Sequence, residues 1–197
     1  MTYADTRLVG ISGPDGSGKS TFAATLAARQ GALVVHLYGC VVCRRWPGAP
    51  LGPGLTAGLG HGSRRRHRIR ALHAVVDAAE MTLRLEWALL AARLRHSRLV
   101  VTDRTPLDAL VKHEPRLRSL TCHWYLALAR RYGAVLWLDG DPNAMAQRDR
   151  DHGAAELAAA RTRFSWWSQQ LCNVQRVEVG SASPEEIWDI GRRVAAI

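Results

Sequence analysis

Lysine is nearly absent from this chain. Of its 27 basic residues only Lys19 and Lys112 are lysines, and the rest are arginine. Long apolar runs are absent as well. No stretch approaches the roughly 20 residues that a bilayer-spanning helix needs, which excludes a helical membrane protein. The first seven residues are polar and lead directly into an apolar strand, with no charged-then-apolar leader, so a cytoplasmic location is expected. Cysteine is scarce. Cys40, Cys43, Cys122 and Cys172 do not make a disulfide framework in a reducing compartment. Cys40 and Cys43 form a single C-x-x-C, and His61, His67 and His73 follow at spacings that match no zinc pattern, so free buried thiols are the plainer reading. There is no internal repeat, no linker and no low-complexity tract.

What is present is globular. The 197 residues are 47% hydrophobic, enough for one domain with a real core. The net charge is +10. An arginine-rich coding bias explains it, and so does a surface that attracts phosphates; the charge alone would equally suit a nucleic-acid binder.

Apolar segments alternate in type along the chain. Leu8–Ile11, Leu33–Leu37, Leu99–Val101, Ala134–Leu138 and Val174–Val179 read as short buried strands. Between them lie helical patterns: Lys19–Gln30, a long one from about Ile69 to Arg95, Thr121–Tyr132, and Pro142–Gln170 interrupted by charge around Arg148–Gly153. In the long helix Leu72, Val75, Val76, Ala79, Leu83, Trp87, Leu90 and Leu94 recur at spacings of three and four. Ser183-Pro184-Glu185-Glu186 carries an N-cap, a proline at the first position and a capping box, and opens a last helix. Residues 47–62 are rich in glycine and proline and are expected to form a mobile loop. Strands alternating with helices predict a three-layer α/β/α domain over residues 1–197 with a five-stranded parallel sheet.

Chemistry concentrates in one motif. Gly13-Pro14-Asp15-Gly16-Ser17-Gly18-Lys19-Ser20-Thr21 satisfies G-x-x-x-x-G-K-[ST], after a strand and ahead of a helix. Gly13, Gly16 and Gly18 let the backbone curl so that its N–H groups, including that of Ser17, converge on an oxyanion. Lys19 supplies a point charge for β- and γ-phosphates, and Ser20 a hydroxyl for Mg²⁺. The helix N-terminus at Ser20-Thr21 adds a positive dipole end. One of only two lysines stands here, which a mere glycine turn does not explain. The fold class is therefore that of a P-loop NTPase, and the expected ligands are ATP and Mg²⁺.

The order of further motifs resembles the thymidylate-kinase branch of the nucleoside monophosphate kinases across nearly the whole chain. The loop is similar in its acidic residue, Asp15. The family's Asp-Arg after the third strand looks like Asp103-Arg104. Its strand ending in Leu-Asp ahead of a proline looks like Leu138-Asp139 with Pro142. A charged lid follows, here near residues 146–154 with Arg148 and Arg150. The resemblance implies roles. Asp15 would meet the acceptor, Arg104 would clamp a phosphate, and Asp103 would hold Mg²⁺ or its waters. Arg148 and Arg150 would close over the transferring group. Arg84 would meet the acceptor phosphate, and Asp108 belongs to the acceptor side.

Simpler readings stay open: a surface ion pair for Asp103 and Arg104, a solvated loop for Arg148 and Arg150, a solvated face for Arg84, a charged helix start for Arg64–Arg70, and core packing for Trp166 and Trp167. The family continues Asp-Arg with a tyrosine and a later Tyr-Gln that meets the base. Here Thr105-Pro106-Leu107-Asp108-Ala109-Leu110-Val111-Lys112-His113 has neither, so the acceptor need not be thymidylate. The expected activity is transfer of the ATP γ-phosphate to a nucleoside monophosphate. The alternatives are a kinase acting on a hydroxyl of a nucleoside, sugar or specialised metabolite, and a nucleotide-dependent nucleic-acid-binding module without catalysis. The expected partner is a small-molecule phosphate acceptor; nucleic acid is less favoured, no membrane is expected, and a homodimer is compatible with the domain.

Overall fold

A computed structural model of the protein describes residues 6–37, 64–149 and 151–180, with Glu185, Asp189 and Arg193 beyond them. The expected loop at 47–62, the Cys40/Cys43 pair, Arg150 and the helix start at Ser183 lie outside the described residues.

Five strands form one all-parallel sheet in the order β2-β3-β1-β4-β5. They are β1 (Arg7–Ser12), β2 (Leu33–His36), β3 (Leu99–Asp103), β4 (Ala134–Asp139) and β5 (Val174–Glu178). β3 and β4 are buried along their whole length, which is why they read as continuous apolar runs rather than alternating ones. Alternate residues still serve opposite layers. Val100, Val135 and Trp137 pack into one core and Val101, Leu136 and Leu138 into the other.

The helices among the described residues are α1 (Lys19–Gln30), α2 (Arg64–Leu94), α3 (Pro106–His113), α4 (Leu120–Ala129), α5 (Pro142–Arg148) and α6 (Ala154–Ser168). α1 covers one face through Ala23 and Leu26, and α2, α3, α4 and α6 contribute to the core on the other. α1 ends where Gly31 adopts the left-handed conformation and its N–H bonds the Ala27 carbonyl. α3 was not anticipated, yet its start is well formed. The Thr105 hydroxyl accepts from Leu107 N, Pro106 stands in the first turn, and Asp108 closes a capping box.

The long helix buries its alanine stripe and turns the bulkier apolar stripe outward. Ala74, Ala78, Met81, Leu85, Ala88 and Ala92 form its buried face. Leu72, Val75, Leu83, Trp87, Leu90 and Leu94 point outward, between 41% and 73% exposed. Small alanines let a helix axis approach the sheet closely, and that stripe wins over the bulkier one. Trp167 is in the core as expected, whereas its neighbour Trp166, in edge-to-face contact at 4.6 Å, is exposed. No described helix is long and apolar enough to cross a membrane.

Candidate active site

Because every strand is parallel, the carboxyl ends of β1, β3 and β4 meet at one edge of the sheet, where doubly wound folds place their ligands. The loop leaving β1 passes over this edge into α1. Gly13 has φ +142°, and a Cβ there would collide with the Leu138 carbonyl oxygen at the end of β4. Gly16 has φ +78°, and its Cβ would lie 2.6 Å from the Met145 carbonyl oxygen in α5. Only glycine fits either backbone. The first-turn N–H groups of α1 have no intrahelical acceptor and carry the positive end of the helix dipole. Among the described residues, the buried Ser17 Oγ of the same loop has no hydrogen-bond partner. Gly18 faces open space, and Thr21 is exposed on the first turn.

Lys19 is buried at 5% exposure and arches back over the loop, donating to Pro14 O at 2.6 Å and to Asp15 Oδ1 at 3.3 Å. Arg104 donates to the same Asp15 oxygen at 2.5 Å. Burial alone would raise the Asp15 carboxyl, but Lys19 and Arg104 outweigh it and hold it below its ordinary value of 3.8. Burial lowers the Lys19 ammonium, with Arg104 adding to that effect and Asp108 and Asp15 opposing it. Arg104 occupies the left-handed region at φ 71°, uncommon for a residue with a side chain. It is held there by its N–H to Ile11 O at 2.9 Å and by the capped helix that follows.

Asp103 ends β3 beside the loop. The Ser20 hydroxyl donates to its Oδ2 at 2.8 Å, and His36 Nδ1 at the end of β2 lies 3.1 Å from the same oxygen. Asp103 Oδ1 is buried and, among the described residues, unpartnered. A serine hydroxyl next to a carboxylate with an unused oxygen is a donor set that fits a hydrated Mg²⁺. Arg84 reaches this end of the sheet from α2: it pairs with Glu80 and donates to the His36 carbonyl at 3.2 Å.

Asp108 does something other than the expected acceptor contact. Its carboxylate turns inward at 5% exposure. It accepts from Ser12 Oγ at 2.7 Å, Thr105 N at 2.8 Å, Thr105 Oγ1 at 3.3 Å and Gly13 N at 3.4 Å. It therefore splices the start of α3 to the first residues of the glycine loop. Burial raises its carboxyl above 3.8, against the pull of Lys19 and Arg104.

In the lid region Arg148 is exposed at the end of α5. Asp149 and His152 come together there, Nδ1 to Oδ2 at 2.7 Å, and both lie with Asp15 in a cluster whose nearest polar atoms are within 4.8 Å of one another. Burial would lower the His152 imidazole, but Asp149, Glu156 and Asp15 outweigh it and raise it above 6.5. Lys112, one turn beyond Asp108 on α3, also senses Asp15: loss of solvation lowers its ammonium, and the Asp15 charge opposes this. Both lysines of the chain thus lie in the field of one carboxylate. Reading the sequence missed Lys112, His36 and His152; the scarcity of lysine was the one signal that could have flagged Lys112.

Asp139 at the end of β4 is buried and is held by Arg161 Nη2 at 2.9 Å and Arg176 Nε at 2.7 Å. The Leu-Asp of the sequence pattern is therefore an ion-paired strand end.

These features are those of a known fold. A thymidylate kinase from Candida albicans superposes with a TM-score of 0.65 over 97% of this chain and 94% of that one, at 14% identity. The chain has the fold of a thymidylate kinase. The YorR protein from Bacillus subtilis, solved in complex with phosphorylated GDP, superposes with a TM-score of 0.54 over 95% of each chain, at 15% identity. No protein-family profile and no curated protein sequence matches. The fold is thus shared over 97% of this chain at 14% sequence identity.

Proposed function

We propose that this protein is an Mg·ATP-dependent phosphotransferase that moves the γ-phosphate of ATP to the phosphate of a nucleoside monophosphate or a similar anionic acceptor. The observation that carries the reading is the convergence of Lys19 and Arg104 on Asp15 at the mouth of the glycine loop, beside the Ser20–Asp103 pair. Bound Mg·ATP would supply the transferable group and the divalent charge that neutralises it.

The residues of the chain do the rest. The loop N–H groups and the α1 terminus orient the donor phosphates. Lys19 and Arg104 spread the negative charge that develops between donor and acceptor, and Asp15 keeps both cations aimed at that point. Ser20 and Asp103 would hold the metal. His152 in the lid segment, bonded to Asp149 and with its imidazole raised above 6.5, stands at the same mouth; Arg148 and Arg150 would belong to that lid. Arg84 lies on the acceptor side, at the end of β2.

The state of Asp15 favours a phosphate over a hydroxyl acceptor. A hydroxyl needs a base, and a carboxylate held by two cations below its ordinary value is a weak one. A phosphate acceptor is already anionic and needs none. The altered Thr105–His113 segment supports an acceptor other than thymidylate.

The test is a coupled ADP-release assay with Mg·ATP against nucleoside monophosphates, nucleosides, sugars and aminoglycoside-like compounds. Turnover that depends on Lys19 and on a monophosphate is expected. Turnover only with neutral hydroxyl compounds would replace this reading with the hydroxyl-kinase one. ATP binding without any turnover, together with salt-sensitive binding of RNA or DNA, would favour the non-catalytic module.

A further inference from the structure

The Ser20–Asp103 pair has a nitrogen donor beside it that the proposed function does not use. Asp103 Oδ2 is flanked by the Ser20 hydroxyl at 2.8 Å and by His36 Nδ1 at 3.1 Å. The carboxylate is well enclosed: Asp103 is 7% exposed, and its Oδ1 is buried and unpartnered among the described residues. The donors come from separate elements, Ser20 from the first turn of α1, Asp103 from the end of β3 and His36 from the end of β2. His36 and Asp103 are register partners in the parallel ladder, so their side chains leave the same face of the sheet. The backbone around them is fixed. Leu37 N–H donates to Asp103 O at 3.1 Å, and Arg84 donates to the His36 carbonyl at 3.2 Å.

We propose that His36 Nδ1 is a ligand of the nucleotide-bound divalent ion and tunes the site toward a first-row transition ion over Mg²⁺. The inference rests on the reading that a metal–nucleotide complex sits at the glycine loop, and it does not need the transfer step. An octahedral ion with bonds of about 2.1 Å holds neighbouring ligands ~3.0 Å apart, the diagonal of a square with that side. The separations of 2.8 and 3.1 Å from Asp103 Oδ2 are two such edges. An imidazole nitrogen and a carboxylate oxygen face each other at 3.1 Å only with a positive centre between them, a proton or a metal.

The donor chemistry sets the preference. Mg²⁺ takes oxygen ligands and keeps its waters, whereas the transition ions gain from an imidazole, Co²⁺ more than Mn²⁺. The partners of Asp103 also leave room for a cation, because they are a hydroxyl and an imidazole. The other carboxylate–imidazole cluster, Asp15 with Asp149 and His152, differs in this respect. Its Asp15 already holds Lys19 and Arg104 at 3.3 and 2.5 Å, and those charges repel a metal. The His36 side chain is 54% exposed, so its ring can close on an ion without disturbing the core.

Electron spin-echo envelope modulation of Mn²⁺, bound together with a non-hydrolysable ATP analogue, tests this. The parent should show ¹⁴N coupling. Uniform ¹⁵N labelling of the protein should convert it to ¹⁵N coupling, which separates a protein nitrogen from those of adenine. His36→Gln should abolish the coupling while the Mn²⁺ complex still binds. In parallel titrations His36→Gln should weaken the Co²⁺ complex roughly tenfold or more and the Mg²⁺ complex far less. Bound Mn²⁺ without protein-nitrogen coupling would mean that His36 only orients Asp103 by a hydrogen bond. That result, or equal losses with Co²⁺ and Mg²⁺, would overturn the inference and leave the proposed function standing. A parent that binds the metal–nucleotide complex no better than Lys19→Ala would overturn both.

Discussion

Replacing Asp108 probes how the glycine loop is held in shape. Asp108→Ala removes an acceptor shared by Ser12 Oγ, Gly13 N and both polar groups of Thr105. Ser12 and Thr105 are fully buried, so water does not replace the lost partner. The two short bonds, from Ser12 Oγ and from Thr105 N of the capping box, cost about 1–3 kcal/mol each when their donors are stranded. Against this, the variant relieves a carboxylate that burial has pushed above 3.8. A net loss of ~2–4 kcal/mol follows, which lowers the melting temperature of a domain this size by roughly 5–15 °C. Asp108→Asn keeps one acceptor and removes the charge, so its loss should stay within about 1 kcal/mol. The pH dependence has a definite sign. A carboxyl raised on folding contributes stability that is fully present below 3.8 and is lost as pH rises through the folded value. The parent should therefore gain on Asp108→Asn as the buffer is acidified from neutrality toward 3.8. Calorimetric melts of the three proteins at several pH values are the assay, with ATP affinity measured in parallel; the alanine variant should bind ATP more weakly because Gly13 N–H loses its support. An alanine variant that melts with the parent, or a parent–asparagine difference that ignores pH, would refute the reasoning.

Other substitutions read other parts of the site. Lys19→Ala should keep the fold and lower turnover by about 10²–10³-fold or more, measured as ADP release, because a preorganised cation at the transferring group is lost. Asp15→Asn should leave partial turnover with a phosphate acceptor and mispoint Arg104, visible as a higher acceptor KM; complete loss with ATP still bound would identify Asp15 as the base of a hydroxyl kinase. The contribution of the His152–Asp149 pair is fully present below 6.5 and is lost as pH rises through the raised folded value. His152→Gln should therefore flatten the alkaline fall of kcat, and an unchanged pH profile would remove His152 from the site. Gly16→Ala must place a Cβ 2.6 Å from the Met145 carbonyl at φ +78°, and should cost several kcal/mol of stability, or ATP binding, or both; a melt and a nucleotide titration read these.

The sheet and α1 were legible because their signals are local. Buried parallel strands are short apolar runs, and α1 is bracketed by the Gly18-Lys19 start and the Gly31 stop. α3 was missed although Thr105-Pro106-Leu107-Asp108 carries the same cap, proline and capping-box pattern recognised at Ser183-Pro184-Glu185-Glu186. Its first residues directly follow Asp103-Arg104, so the motif and the cap overlap in sequence. The facing of α2 was not legible because periodicity marks stripes without saying which one meets the sheet. Ala74, Ala78 and Ala88 won by allowing close approach, and Leu83 and Trp87 were left outside. Lys19 and Ser20 open α1 with Asp15 and Asp103 as their side-chain partners. The links from Arg104 to Asp15 and from Asp108 to Ser12, 89 and 96 residues apart, exist only once β1 and β3 lie side by side. His152 comes to Asp15 by the same long-range route.

Phosphorus NMR of Mg·ATP with the protein and a panel of nucleoside monophosphates tests the central claim most directly, because it shows where the γ-phosphate goes. The account predicts growth of a nucleoside diphosphate signal from one or more monophosphates as ATP falls to ADP, absent with Lys19→Ala. ATP that binds and stays intact with every monophosphate, or that yields a phosphate monoester only when a hydroxyl compound is added, would contradict it.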